Sequence, residues 1–286
     1  MILVTGAAGK TGQAVVKALA KKGIPVRALV RRPQYISNLQ VLGAAQVMVG
    51  SFDEPQELAR SADGVQAIYH ICPNVSPDEV AYARAVAAAA QAQGVKRFVF
   101  HSVLHPQIEV MPHHFAKMRA EEMLFGCGFD LTVLQPTAYM QNILGGWRGI
   151  IADGVFRVPY PVATRLSLVD LDDVAEVAAL VLTQDGHSGA SYELVGTKPF
   201  SQSEIATAIG AVLKHDVRAE AEAVEAWEAR PRAAGMGEHE RTTLAAMFRY
   251  YAEHGLIGNP NALSWLLGRA PTSLAAFLER AANGQA

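Results

Sequence analysis

Short apolar runs and longer amphipathic segments alternate along the first half of the chain. The apolar runs have the length of buried strands, and each gives way to small or polar residues before a helical pattern begins. This alternation favours an α/β fold with a doubly wound parallel sheet of the Rossmann type, whose ligand would lie outside the carboxyl ends of the strands. The predicted strands are residues 2–4, 24–30, 47–49, 66–71, 98–100 and 131–134.

A glycine-rich segment lies between the first predicted strand and the helix that follows it. The first-turn amides of a helix have no partners within it, and its dipole is positive at that end, so this turn would hold a pyrophosphate. The context favours a dinucleotide site, although the spacing is Gly-x-x-Gly-x-x-Gly rather than Gly-x-Gly-x-x-Gly. The alternative is a turn that serves tight packing alone. The predicted cofactor contacts in the turn are Gly6, Ala8, Gly9, Lys10, Thr11 and Gly12.

The residues after the second predicted strand indicate which dinucleotide is bound. An NAD site tends to place an acidic residue there, whereas this chain has Arg31 and Arg32. Two guanidinium groups suit the 2′-phosphate that distinguishes NADP. We therefore predict NADP(H) as the preferred cofactor. NAD(H) is the alternative, in which both arginines are only solvated surface residues.

The pattern changes after residue 136, where short strands are predicted at 156–157 and 191–195 and a helix with aspartates at its start is predicted within 168–182. From residue 201 onward the chain is predicted to be helical, with an acidic helix over 220–230. We expect residues 1–155 to form the NAD(P)-binding Rossmann domain, with 166–196 returning to it. Residues 197–286 are then a small, mainly helical lobe that completes a substrate pocket.

Composition and charge exclude several classes of protein. Half of the 286 residues are hydrophobic, the formal net charge is -2, and no run of lysine or arginine exceeds a pair, so no nucleic-acid partner is predicted. The first strand begins at once and no apolar stretch has the length of a membrane span, so we expect a cytoplasmic protein that does not contact membranes. Two cysteines fit free thiols. Monomer and homodimer both remain open.

Several motifs resemble the NmrA-like family of atypical short-chain dehydrogenases/reductases: VTGAAGKTG at 4–12, VRALVR at 26–31, KRFV at 96–99 and DDVA at 172–175. Within that family the chain is similar to bacterial NAD(P)H-dependent reductases of quinones and triphenylmethane dyes. The resemblance implies an NADPH-dependent oxidoreductase that passes hydride to a small apolar acceptor such as a quinone or dye. The family also includes regulators, so the alternative is a catalytically weak NADP(H)-sensing protein that acts through a protein partner.

The resemblance also implies catalytic positions. Ordinary members of the superfamily carry Tyr-x-x-x-Lys on the helix after the fifth strand, but no tyrosine here has a lysine four residues later. His113 takes the place of the tyrosine, as a weak proton donor or a polar pocket residue, and Lys117 keeps the position that binds the nicotinamide ribose. Ser102 stands where the superfamily often has a catalytic serine, or bonds its own strand end. The nearby histidines lack metal-ligand spacing, so no metal is predicted.

The remaining site residues follow from their positions after the predicted strands. Phe52 is expected near the adenine, Cys72 and Pro73 near the ribose, and Pro136 and Thr137 near the nicotinamide. Candidates for the acceptor pocket follow the sixth strand, with packing between lobes as the alternative. They are Tyr139, Met140, Asn142 and Trp147.

Overall fold

The computed structural model describes residues 1–284, and strands occur where all six were predicted in the first half of the chain. The strands are β1 (Ile2–Val4), β2 (Val26–Val30), β3 (Gln46–Val49), β4 (Ala67–His70), β5 (Arg97–His101), β6 (Asp130–Pro136), β7 (Ala138–Tyr139), β8 (Val155–Val158), β9 (Arg165–Leu166), β10 (Leu168–Val169), β11 (Ala190–Leu194), β12 (Phe200–Ser201) and β13 (Arg218–Ala221).

Helices connect these strands and make up most of the last third of the chain. They are α1 (Lys10–Lys21), α2 (Ile36–Val41), α3 (Pro55–Ala62), α4 (Glu79–Ala92), α5 (Pro112–Phe125), α6 (Trp147–Asp153), α7 (Leu171–Thr183), α8 (Gln202–Leu213), α9 (Val224–Ala233), α10 (Glu238–His254), α11 (Asn261–Leu267) and α12 (Leu274–Ala282). None of the helices over residues 1–284 combines the length and the apolar character needed to cross a bilayer.

The main sheet has seven strands in the order β11-β6-β5-β4-β1-β2-β3. The pairings from β3 through β1 to β6 are all parallel. Since the chain builds outward from β1 to β3 and then returns to β4 on the other side of β1, the order reverses between β1 and β4. This topological switch point is where an open α/β sheet holds its ligand. The predicted doubly wound parallel sheet is confirmed.

Apolar side chains from the central strands form the core of this sheet. Leu3 and Ile68 on the two middle strands are buried, as are Phe98 and Phe100 on β5. Alanines of α4 pack into the same core, which fits the alanine-rich sequence of that helix. The carboxyl ends of β1 and β4 are therefore fixed by a continuous apolar layer beneath them.

The chain divides into two compact units. The first comprises residues 1–107, 114–135 and 174–192, and the second comprises 108–113, 136–173 and the residues from 193 onward. This division differs from the predicted one, which assigned 136–155 and 166–173 to the Rossmann domain. The short strands of those segments pair within the second unit: β7 with β10, β9 with β12, and β8 with β13.

The second unit also corrects the prediction for its acidic segment. Residues 220–230 were predicted as one helix, but residues 218–221 form β13, which runs parallel to β8 and pairs Arg218 with Val155. The helix α9 begins only at Val224. The exposed edge of β8 thus gains a partner, a tertiary requirement that outweighs the helical preference of an alanine- and glutamate-rich sequence.

Candidate functional site

The glycine-rich turn joins β1 to α1 at the switch point, and its own packing requires two of its glycines. Gly6 has a φ of +58°, and a Cβ added there would lie 2.7 Å from the carbonyl oxygen of Ile71. A Cβ on Gly12 would lie 2.4 Å from the carbonyl oxygen of Gly6. Both positions therefore need glycine for the chain to pack on itself, whatever the turn binds.

Gly9 differs, because the surrounding protein leaves room for a side chain there. It is exposed, its φ is -75°, and an added Cβ would meet the carbonyl oxygen of Gly6 at 3.4 Å, an ordinary contact distance. The missing side chain instead leaves the backbone open to close approach from outside. This favours a nucleotide-binding turn over a turn that serves packing alone.

Gly9 is also the N-cap of α1, and this end of the helix is suited to an anion. No side chain caps the helix, and its first turn contains no acidic residue. Lys10 is exposed and Thr11 is half-buried at the first two positions. Free amides, the positive end of the dipole and a neighbouring lysine together favour a phosphate group. The carbonyl of Ala8 is already used, since it accepts a hydrogen bond from the Gln13 side chain at 2.7 Å.

The two arginines after β2 are both exposed but have different surroundings. Arg32 donates to the hydroxyl of Tyr35 at 2.9 Å, and its guanidinium lies 5.3 Å from the centre of that ring. The Arg31 side chain makes no hydrogen bond or ion pair with any residue of the described chain. Of the two predicted phosphate contacts, Arg31 therefore has the greater donor capacity left for a ligand.

Phe52 follows β3, as predicted, but it is buried rather than open for stacking. Its ring centre lies 5.1 Å from that of Tyr82 and 5.5 Å from that of His70. Tyr82, on α4, is half-buried and close enough to Arg31 for the arginine's charge to act on its pKa, although burial is the largest influence and raises that pKa. Tyr82 was not predicted, because nothing in the local sequence marks a helical tyrosine as a neighbour of the end of β2.

Lys117 on α5 is buried and paired. Only 5% of Lys117 is exposed, and its Nζ lies 2.9 Å from Oε1 of Glu79. Glu79 is the first residue of α4, and its side chain is completely buried. The same Nζ donates to the carbonyl oxygen of His101 at 3.1 Å. The ring of Phe100 lies 5.3 Å from Nζ. The lysine predicted to bind ribose thus has an internal counter-ion that the sequence analysis missed.

The groups around this pair are mostly uncharged. Burial, with a smaller effect of the Lys117 charge, lowers the pKa values of His70 and His101 to about 3 each. Burial, followed by the Glu79 charge, raises the pKa of the Cys72 thiol far above its usual range. Both imidazoles are therefore neutral and the thiol is protonated at neutral pH. Cys72 lies after β4, where it was predicted, and it is close enough to Glu79 for the charge of that carboxylate to act on its pKa.

Hydrogen bonds within the first unit hold the ends of β1, β4 and β5 together. The Thr5 hydroxyl lies 2.9 Å from Nδ1 of His70, and the amide of Ile71 donates to the same hydroxyl at 3.0 Å. The Tyr69 hydroxyl lies 2.7 Å from Nδ1 of His101. These contacts fix the strand ends that face the glycine turn, so the turn is supported by polar contacts as well as by packing.

The remaining catalytic candidates lie in different environments. Ser102 is buried and its hydroxyl donates to Glu121. His113 is half-buried in the first turn of α5, four residues before Lys117. The next residue, His114, is buried, and burial lowers its pKa to about 4. Pro73 is half-buried after β4.

The candidates from the last residue of β6 onward belong to the second unit. Pro136 and Thr137 are buried, and the Thr137 hydroxyl donates to the carbonyl oxygen of Ser167 at 2.9 Å. Met140 is completely buried, which fits a core position better than a ligand contact. The other predicted pocket residues retain some exposed surface: Tyr139, Asn142 and Trp147.

Comparisons with known proteins agree with the geometry. The NAD(P)H azoreductase of Xenophilus azovorans is 31% identical over 273 residues, which cover 95% of this chain and 92% of that protein. The (4-alkanoyl-5-oxo-2,5-dihydrofuran-3-yl)methyl phosphate reductase of Streptomyces griseus is 35% identical over 231 residues, covering 79% and 78%. The crystal structure of an NADPH-dependent quinone oxidoreductase from Escherichia coli, complexed with NADPH, matches with a TM-score of 0.86 at 26% identity and covers 99% of this chain and 100% of that one.

The family assignment follows from the extent of these matches. The NmrA-like family model matches residues 1–279, from β1 through the first part of the last helix. The match includes the glycine turn, Arg31 and the helix that carries Lys117. This chain belongs to the NmrA-like family.

Proposed function

We propose that this protein is an NADPH-dependent reductase that transfers hydride to a small apolar acceptor such as a quinone or a dye. The observation that carries the proposal is the start of α1 after Gly9, which no side chain caps and which lies at the switch point of the sheet. Arg31 supports it, because this residue follows β2 and has no hydrogen-bond partner among the described residues. The acceptor class is supported by the relatives, which include an NAD(P)H azoreductase and an NADPH-dependent quinone oxidoreductase.

The residues of the first unit fit the parts of NADPH by their chemistry. The amides at the start of α1 would hold the diphosphate, and the Arg31 guanidinium would bind the 2′-phosphate. Lys117 has three ammonium N–H groups, of which Glu79 and His101 take two, so one remains to donate to a ribose hydroxyl. When bound, NADPH would supply the hydride.

The protein's contribution in this proposal is chiefly placement. Ser102 donates its hydroxyl hydrogen to Glu121, and His113 stands in the place of the missing tyrosine. Either His113 or solvent would supply the proton that balances the hydride. The roles of Pro136, Thr137, Tyr139, Asn142 and Trp147 toward nicotinamide and acceptor stay predictions.

NADPH oxidation tests the proposal directly. The purified protein is mixed with NADPH and, in turn, a benzoquinone, a naphthoquinone, an azo dye and a triphenylmethane dye, and the loss of NADPH absorbance is followed. We expect at least one acceptor to be reduced well above the rate without protein, and Lys117→Met to slow that reaction. Lys21→Ala, which changes an exposed lysine at the far end of α1, serves as the control and should leave the rate unchanged.

Binding measurements separate the possible failures. Tight NADPH binding without oxidation by any acceptor would favour the alternative of an NADP(H)-sensing regulatory protein. Failure to bind either NADPH or NADH would contradict both functions. Calorimetric titration with each coenzyme therefore accompanies the rate measurements.

A further inference from the structure

The Lys117 ammonium has one counter-ion within hydrogen-bond distance, Glu79, and this pair lies inside the first unit. The two residues are 38 apart in the sequence and come from different helices, and Nζ and Oε1 are 2.9 Å apart. Glu79 is completely buried and only 5% of Lys117 is exposed. Neither charge can therefore be solvated as it would be at the surface, so each depends on the other.

Fold stability alone does not account for such a pair. Removing two charges from water is costly, and well-packed apolar residues of similar size often give equal or greater stability. The pair is therefore best explained by what it does to one of its members. Lys117 is the member at the position implicated in ribose binding. Among the described side chains, the Glu79 carboxylate forms its hydrogen bond with Lys117, and its second oxygen has no hydrogen-bond partner.

We propose that Glu79 is a positioning residue, which keeps Lys117 charged and fixes its ammonium so that one N–H is left for the ribose of bound NADPH. The inference rests on the proposed function. It adds to the ribose site a residue that lies on α4, a helix without any other predicted cofactor contact.

The hydrogen-bond geometry supports the positioning role. An ammonium group has three donors, and two of them are directed to fixed acceptors, Oε1 of Glu79 and the main-chain oxygen of His101. Two fixed bonds stop the ammonium from rotating about its carbon chain, so the third N–H has one direction. Without Glu79 the ammonium would be held only by the carbonyl, and it would rotate freely about that bond.

The position of Glu79 in its helix suits a negative charge. Glu79 is the first residue of α4, where the positive end of the helix dipole favours a carboxylate. The other titratable groups that face Lys117 do not replace this charge: three are neutral imidazoles and one is a carboxyl held by other partners. They are His70 on β4, His101 on β5, and His114 and Glu121 on α5.

The test is Glu79→Gln, with NADPH and NADH affinities measured by titration from pH 6 to pH 9. The amide keeps the shape of the carboxylate but removes its charge, so the buried Lys117 ammonium loses its proton more readily. We expect the ratio of variant to wild-type Kd, for both coenzymes, to be near one at pH 6 and about tenfold at pH 9. Using the ratio cancels the titration of the 2′-phosphate itself.

Two further variants separate positioning from support of the fold. Lys117→Met should weaken both coenzymes at every pH, and adding Glu79→Gln to it should change neither Kd further. Glu79→Asp keeps the charge on a shorter side chain, so it should raise the Kd values by a factor that does not vary with pH. Melting temperatures are recorded for each variant.

A ratio for Glu79→Gln that stays constant from pH 6 to pH 9 would overturn the inference and leave Glu79 as a structural link between two helices. If Glu79→Gln does not fold, Glu79→Asp decides: a lowered melting temperature with unchanged Kd values would contradict the positioning role. Failure of the proposed function has a different signature, because it is seen in the wild-type protein itself. That protein would either bind neither coenzyme, or bind NADPH and pass hydride to no acceptor.

Discussion

Ser102 donates its hydroxyl hydrogen to the buried carboxylate of Glu121, one helical turn after Lys117 on α5. The side-chain amide of Gln135 donates to both oxygens of the same carboxylate, at 3.1 Å each. The hydroxyl hydrogen of Ser102 is therefore already engaged in a hydrogen bond inside the protein. This serine joins the ends of β5 and β6 to α5, and any role in proton supply would require it to exchange this bond for another.

The Glu121 carboxylate predicts a pH dependence of stability. Burial raises its pKa, with the bonds from Ser102 and Gln135 acting in the opposite direction. Because the folded pKa lies above the unfolded one, the folded state binds the proton more tightly, and stability falls as the pH rises through the interval between the two values. Glu121→Gln removes this titration. We expect the variant to gain stability relative to wild type between pH 4 and pH 8, measured by urea unfolding.

Glu122→Gln is the matched control for this measurement. Glu122 is the next residue on the same helix, and its exposed side chain pairs with Arg119. The stability difference from wild type should be the same at pH 4 and pH 8 for this variant. An equally flat difference for Glu121→Gln would show that the burial of Glu121 has no energetic consequence.

In the glycine turn, two alanine substitutions should affect different properties: Gly12→Ala should lower stability, and Gly9→Ala should weaken coenzyme binding. Gly12→Ala forces a Cβ to within 2.4 Å of a main-chain oxygen, so it should lower the free energy of unfolding by about 1–3 kcal/mol. Gly9→Ala has room in the protein and should leave stability close to that of wild type. If the turn holds the coenzyme diphosphate, Gly9→Ala should nevertheless raise the Kd for NADPH by about tenfold. An unchanged Kd would support the interpretation that the turn serves packing alone.

The sequence predicted the order of the main sheet elements because each depends on local signals. Apolar runs, a glycine turn and helix-ending glycines mark β1 to β6 without knowledge of the rest of the chain. The division at residue 155 differs from the observed units because two-residue strands such as β7 and β10 leave almost no periodicity to detect. β13 was missed since its sequence favours a helix, and only the edge of β8 makes it a strand.

The candidate site shows the same limit. Gly9, Arg31 and Lys117 are recognisable from motif positions, whereas Glu79 and Tyr82 gain their meaning from partners far away in the sequence. Glu79 stands in the first turn of α4, where a glutamate is ordinary, so the local sequence does not reveal a lysine 38 residues later. Burial was the other unpredicted property, since only 9% of Phe52 is exposed and Met140 is completely buried.

Removal of the Asp170 carboxylate in the second unit should cause a large loss of stability. Its completely buried carboxylate accepts hydrogen bonds from Arg280, from the Gln141 side chain at 2.8 Å and from the amide of Asp172 at 3.1 Å. Asp170→Ala would leave these donors without their acceptor, so unfolding should become easier by about 2–4 kcal/mol. Asp185→Ala removes an exposed partner of Arg97 and should change stability by less than about 0.5 kcal/mol in the same urea titration. Equal losses of stability in Asp170→Ala and Asp185→Ala would contradict the view that a buried carboxylate stabilises the fold more than an exposed one.

Arg31 and Arg32 predict the coenzyme preference, and their different surroundings make each the control for the other. Arg31 has no hydrogen-bonding partner among the described residues, whereas Arg32 bonds to Tyr35. Charge-assisted bonds to a 2′-phosphate exist only with NADPH, so Arg31→Ala should raise the Kd for NADPH by about tenfold to a hundredfold and leave that for NADH nearly unchanged. Arg32→Ala should have a small effect on both. Calorimetric titration measures all four values, and equal weakening of NADPH and NADH by Arg31→Ala would rule out the phosphate role.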